Sequence, residues 1–179
     1  MGWFATPRPV IEALVEAHYA ALYRYAYRLS GSAPEAEDLT QETFCLAHDK
    51  LGQLREAEKA KSWLFTILRN AYLHRLRQAK QEKQVPLDGV AEIPARVVEL
   101  ATAMDSVQLQ KVLGELPEAF RTPIVLYYFE DFSYKDIAEQ MNVPLGTVMS
   151  RLARAKTFLR QRLTDHTGLD GKPNQGEVQ

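Results

Sequence analysis

Between Ser133 and Ala155 the chain reads SYKDIAEQMNVPLGTVMSRLARA, a stretch whose apolar spacing admits very few folds. Ile137, Ala138 and Met141 mark one face of a short helix, and Leu145, Val148, Leu152, Ala155 and Leu159 continue in steps of three and four along a second. A tight link between two helices needs a residue that accepts positive φ, and Asn142 does so more readily than most residues other than glycine. Pro144 suits the first turn of the second helix. Thr147, Ser150, Arg151 and Arg154 form the i, i+3, i+4, i+7 set on the side away from the apolar stripe. The spacing predicts a helix-turn-helix with hydroxyls and guanidiniums facing outward, where they would meet bases and phosphates. Taken alone, the same stretch also suits an ordinary helical hairpin with a solvated face.

The formal net charge of -1 says little until the charges are placed along the chain. Residues 145 to 163 hold Arg151, Arg154, Lys156, Arg160 and Arg162 with no acid. Residues 59 to 83 hold Lys59, Lys61, Arg69, Arg75, Arg77, Lys80 and Lys83 against Glu82 alone. The balancing acids gather elsewhere, notably at Glu35, Glu37, Asp38 and Glu42, so a near-neutral total conceals distinct positive and negative faces.

With 179 residues the chain suits two small domains better than one large one. No stretch approaches the ~18 to 20 apolar residues of a membrane span, and MGWFATPRPV lacks the basic and apolar parts of a signal peptide. A soluble, cytoplasmic protein without membrane insertion is expected. Cys45 is the only cysteine and falls in a helical pattern where a small buried thiol is the ordinary outcome. Cys45 and His48, with His18, His74 and His166 scattered, fall short of a tetrahedral set, so no metal or other cofactor is expected.

Helical periodicity runs from 9 to 30, with Ile11, Leu14, Val15, Leu22, Ala26 and Leu29 on one side, until Gly31 breaks it. Ser32, Pro34 and Glu35 predict a capping-box start for a second helix with the stripe Ala36, Leu39, Thr43 or Phe44, and Ala47. A polar stretch through Glu58 leads to a long helix carrying Trp63, Leu64, Ile67, Leu68, Ala71 and Leu76. From Gln84 to about Ala95 prolines and a glycine suit an extended connector. Helical spacing resumes near Arg96 through Val107, Val112, Leu113 and Leu116; Pro117 opens a further helix with Phe120, Ile124, Val125 and Tyr128, which Pro123 is expected to interrupt and kink. The reading is all-α: a helical domain at 1–83, a linker at 84–104, a helix-turn-helix domain at 105–166 and a disordered tail at 167–179.

A helical domain, a proline-containing linker and a terminal helix-turn-helix resemble the bacterial sigma factors of the extracytoplasmic-function group. YRYAYRLSGSAPEAEDLTQETF and KSWLFTILRNAYLHRLR are similar to region 2 of that family, and LGELPEAFRTPIVLYYFEDFSYKDIAEQMNVPLGTVMSRLARAKTFLR to region 4. The resemblance covers most of residues 19 to 163. It implies a dissociable RNA polymerase subunit that directs the enzyme to promoters and assists opening of the DNA, with no catalysis of its own.

Three surfaces follow from the resemblance. Asp38, Gln41 and Glu42, on one helix face, match the positions that dock on the clamp helices of the polymerase largest subunit, and the resemblance also implies the flap of the second-largest subunit as a partner. The loop from Leu54 to Glu58, including Arg55, and the helix after it, with Lys59, Lys61, Trp63, Arg69, Asn70, His74 and Arg77, resemble the minus-ten reader, where cations track phosphates and an aromatic or a pocket holds an unstacked base. Trp63 fits either that role or the core. The helix-turn-helix corresponds to the minus-thirty-five reader: Arg151 and Arg154 for guanine edges or phosphates, Thr147 and Ser150 for shorter contacts, Lys156 beside them, and Arg121 as a backbone clamp. Met149 and Ala153 depart from the polar or bulky residues common at those family positions, with thymine methyls as one partner they would fit. An anti-sigma factor is the implied regulatory partner. The rival readings are a sigma mimic that binds such a factor without reading promoters, a conventional dimeric repressor or activator using only the second domain, and an enzyme. The last has no Ser/His/Asp set, phosphate loop or metal set to support it.

Overall fold

The computed structural model describes residues 11–82 and 106–167. The connector, the chain from 96 to 105 and the tail from 168 onward lie outside them. Among the described residues the regular elements are helical throughout: α1 Ile11–Ser30, α2 Ala33–Asp49, short 3-10 turns at Leu51–Gln53 and Ala57–Lys59, α3 Ala60–Glu82, α4 Ser106–Glu115, α5 Glu118–Phe129, α6 Tyr134–Met141 and α7 Leu145–Thr167. Helices α1 to α3 pack into one group, and α4 to α7 into another.

Local chemistry sets the ends of these helices. Gly31 takes φ +74, which lets its N–H return to the Tyr27 carbonyl at 2.8 Å and stop α1. The Ser32 hydroxyl accepts from the Glu35 N–H at 3.4 Å, but the expected capping box is only half made. The Ser32 N–H goes to Ser30 Oγ instead, at 3.3 Å. A complete box forms at Ser133, whose hydroxyl accepts from the Asp136 N–H while the Asp136 carboxylate accepts from the Ser133 N–H. Phe132 and Ile137 occupy the N′ and N4 positions of that helix start, and both are buried.

The expected stripe of α2 is buried at Ala36, Leu39, Thr43, Phe44 and Ala47. Thr40 and Thr43 enter that core because their hydroxyls donate to the Ala36 and Leu39 carbonyls at 2.7 and 2.6 Å. Cys45 does not enter it: the thiol is exposed, because the stripe turns past position 44 and leaves 45 on the outer side. Val107 is likewise 73% exposed, while Val112, Leu113 and Leu116 supply the inner face of α4.

Helix α5 runs continuously through the buried Pro123 instead of being interrupted there. The ring sits near the start of the helix, so the missing N–H deprives only the Ala119 carbonyl, in the first turn, of its intrahelical partner. At the helix-turn-helix, Asn142 takes φ 53 and ψ 50, and its N–H and that of Val143 close α6 on Glu139 and Ala138. Val148, Leu152, Ala155 and Leu159 are buried as expected, whereas Leu145 is 48% exposed. It lies at the very start of α7, ahead of the point where the helix comes over the core.

The two groups share one continuous core. Tyr25 of α1 stacks on Phe65 of α3 with centroids 4.9 Å apart, and Phe65 meets Phe132, between α5 and α6, at 5.1 Å. Helix α1 lies against α4 and α5, and α3 against α6.

The left-handed turn at Asn142 gives a direct check. Asn142→Gly should leave the denaturant midpoint almost unchanged, and Asn142→Ala should lower stability by about 1 kcal/mol, since a β-carbon without a compensating amide is strained there.

Candidate nucleic-acid interface

The outer face of α7 is built from two exposed rows, each stepping by four: Leu145, Met149 and Ala153, and Gly146, Ser150 and Arg154. Thr147, Arg151 and Lys156 are half-buried on its flanks, so of the four residues expected at the centre of the face only Ser150 and Arg154 occupy it. The Ser150 hydroxyl donates to the Thr147 carbonyl at 3.0 Å, which leaves its lone pairs outward as acceptors.

On α3, Trp63, Thr66, Asn70, His74 and Arg77 fall on one side of the helix, with Asn70, His74 and Arg77 exposed and Trp63 half-buried against the core. Arg77 Nε donates to the Leu73 carbonyl at 3.2 Å, which holds the guanidinium along the helix. Arg55 is exposed on the loop before the helix, and Lys59 pairs with Glu56 at 3.1 Å. Trp63, Arg55, Lys59 and Lys61 line one wall of a cleft of about 920 Å³, whose other wall includes Phe132, Lys135 and Gln140.

Asp38 and Gln41 are exposed on α2, and the Gln41 amide donates to Glu37 at 3.2 Å. Glu42 beside them is gripped from α3 by Arg75, whose Nε and Nη2 both donate to Glu42 Oε2 at 3.2 and 2.5 Å. The acidic row is thereby fixed to the helix that carries the basic row.

Three residues read from the sequence as DNA contacts bind the other helical group instead. Arg121 donates to the main-chain carbonyl of Leu29, to Tyr72 Oη at 3.2 Å, to the Gly114 carbonyl at 2.9 Å and to the Leu116 carbonyl at 2.8 Å. In this arrangement it is a strut between helices and holds no free fork for a phosphate. Lys61 Nζ donates to the Glu130 carbonyl at 2.6 Å and lies over the Phe132 ring. Arg69 pairs with Glu118 at 3.3 Å. Around them Gln110 donates to the Tyr27 and Arg28 carbonyls, and Arg28 stacks on Phe129 at 3.7 Å from the centroid.

The seam was only partly legible in the sequence. The staple position of Phe132, directly before a capping serine, is a readable sign of burial. Nothing in the periodicity reveals that Arg121, Gln110 and Lys61 serve carbonyls tens of residues away.

The Glu130 side chain is buried at this seam, and burial raises its pKa from the ordinary 4.5 against the opposing pull of Arg24, Lys61 and Arg28. His18 is shifted down from 6.5 by burial first and by Lys61 second. For Glu130 the protonated form is the one favoured by folding, a gain complete below the ordinary value and lost as pH rises through the raised one. His18 acts in the opposite sense: its contribution is present above 6.5 and is lost as pH falls through its lowered value.

The fold and these surfaces define a two-part helical protein with a helix-turn-helix and a separate aromatic and basic helix face. Comparison with known proteins narrows that class. The Sigma-70 region 2 family matches residues 14–82, and the Sigma-70 region 4 family matches residues 106–159. The chain is 32% identical to the ECF RNA polymerase sigma factor SigW of Bacillus subtilis over 85% of this chain and 88% of that protein. It is 33% identical to SigM of Mycobacterium tuberculosis, over 89% of this chain and 80% of that one. Among solved structures it is similar to the sigma factor RpoE of Bartonella quintana, in complex with the anti-sigma factor NepR, with 32% identity and a TM-score of 0.72, covering 86% of this chain and 96% of that one. The chain belongs to the ECF RNA polymerase sigma factor family.

Two measurements test the seam. Arg121→Ala should lower stability by about 2 kcal/mol and raise the radius of gyration in small-angle scattering as the two groups part. Glu130→Gln should raise the denaturant midpoint at pH 7.5, with the gain vanishing toward pH 4.5; a loss at pH 7.5 would mean that Arg24, Arg28 and Lys61 outweigh the burial of the charge.

Proposed function

We propose that this chain is a dissociable sigma subunit that binds core RNA polymerase through α2, reads an upstream duplex element through α7 and holds the opened strand against α3. The observation that carries the reading is the division of labour: an acidic row at Asp38, Gln41 and Glu42, and two separate DNA-suited faces on different helical groups. A repressor using only α6 and α7 has no need of the first two surfaces. A mimic has no need of Asn70, His74 and Arg77 standing exposed on one side of α3. The activity is exercised inside the bacterial cell, with promoter DNA and polymerase as partners and no chemistry performed by this chain.

The closed seam and promoter work draw on the same side chains, since Lys61, Arg69 and Arg121 cannot serve both at once. The closed form is therefore the idle one, and engagement of polymerase separates the two groups. A partner of the anti-sigma kind, as RpoE of Bartonella quintana has in NepR, would act by holding this form together. The likeness to that chain extends over both helical groups, which supports the reading.

Run-off transcription with core polymerase tests the whole: promoter-dependent initiation is expected, and its absence alongside tight binding of an anti-sigma factor would favour the mimic. Asp38→Lys with Glu42→Lys should weaken core binding at least tenfold, roughly 1.4 kcal/mol. Asn70→Ala with Arg77→Ala should reduce permanganate reactivity of the opened strand while leaving core affinity within about twofold, a split that general misfolding would not give.

A further inference from the structure

The exposed rows of α7 contain an oddity. Leu145 and Met149 are 48% and 52% exposed, and with Ala153 they form an unbroken apolar row along the face that also presents Ser150 and Arg154. Single exposed apolar side chains are ordinary on any protein surface. A row of them along the middle of a face flanked by Arg151, Arg154 and Lys156, in a helix with no acid between 145 and 163, is not ordinary. The row stays exposed while Phe132, just ahead of the α6 cap, is buried against Phe65 of the other helical group.

Among the edges that bases present in the major groove, only one group is apolar: the C5-methyl of thymine. Apart from the bare C–H edges of cytosine and the purines, which offer no methyl to fill a pocket, the other positions present donors or acceptors that a leucine or thioether would leave unpaired. The surrounding cations select a nucleic acid over an apolar protein partner, because a protein interface core is depleted of charge whereas phosphates require it.

We propose that Leu145 and Met149 read thymine methyl groups, so that the upstream element recognised by this sigma factor is specified in part by apolar contact. This rests on α7 being the duplex reader. The two residues are separated by about 6 Å of helix rise, and successive base pairs by about 3.4 Å, so the two methyls lie on base pairs one or two steps apart. Arg154, on the neighbouring row and a turn and a half beyond Met149, then falls beside them, where its fork suits guanine. Ser150, with its proton turned inward to Thr147, offers an acceptor to an exocyclic amine between them.

The test uses the holoenzyme formed from core polymerase and the full chain. The upstream element is first selected from randomised duplex, and each thymine in it is then replaced by deoxyuridine, which removes the methyl and nothing else. At one or two thymines the substitution should weaken binding three- to tenfold. Met149→Ala should abolish the thymine-over-uracil ratio at one of them, and Leu145→Ala at another. Both side chains are exposed, so folding should be undisturbed, and circular dichroism checks this. If an element is selected but no thymine responds, or if Met149→Ala keeps the ratio, the methyl reading is wrong while α7 remains the reader. If Met149→Ala weakens the holoenzyme equally on every duplex, the row is a protein contact. If no upstream sequence is selected at all, the reading of α7 falls and this proposal with it.

Discussion

The last carbonyls of α1 are only partly served by their own stretch of chain, where the Gly31 N–H reaches Tyr27, and the way the rest are satisfied governs how the molecule is arranged. Tyr27 and Arg28 accept from Gln110 of α4, and Leu29 accepts from both Arg121 of α5 and Tyr72 of α3. The Arg121 fork also serves Gly114 and Leu116 at the end of α4, so one cation sits at the negative ends of two helices, where the macrodipole favours it. Lys61 repeats the pattern in reverse, reaching from the first group to the Glu130 carbonyl that closes α5. Each group thus completes helix termini that the other leaves open.

This construction differs from an apolar interface. The aromatic column of Tyr25, Phe65 and Phe132 supplies hydrophobic burial across the seam, but the orienting contacts are cation to carbonyl. Such contacts are strong in a dry seam and readily exchanged for water or phosphate once it is wetted. Parting such a seam would cost the burial of that aromatic column but leave each cation able to exchange its carbonyl for water or phosphate. The half-buried Trp63 shows the same economy: it packs on the core with one part of its ring and faces the cleft with the rest.

Much of this was legible in the sequence because short-range rules set it. Asn142 in the left-handed region, Gly31 ending α1 and the stripe from Ala36 to Ala47 all follow from local steric and periodic arguments. The failures share a cause as well. Cys45 and Leu145 suit the core by sequence because they sit among apolar neighbours, yet one residue of phase or a place at the helix start puts them in solvent. The charge and location of Arg121 suit a phosphate clamp; only the fold shows that it faces the carbonyl of Leu29, far away in sequence, together with that of Gly114. The Ser133 box was missed because Asp136, not a glutamate or glutamine, closes it.

On the proposed reading of α2 and α3, the grip of Arg75 on Glu42 would bear on where transcription begins. It clamps the outward row of α2 to the helix bearing Asn70, His74 and Arg77, with two packed helices, roughly 10 Å from axis to axis, between enzyme and strand. The distance from polymerase anchor to opened base is then set by the side-chain volumes on the buried faces of α2 and α3, Leu39, Phe44, Leu64 and Leu68 among them. Start-site choice would then be a property of core packing: a methylene gained or lost in that layer would move the ruler against which the first nucleotide is counted.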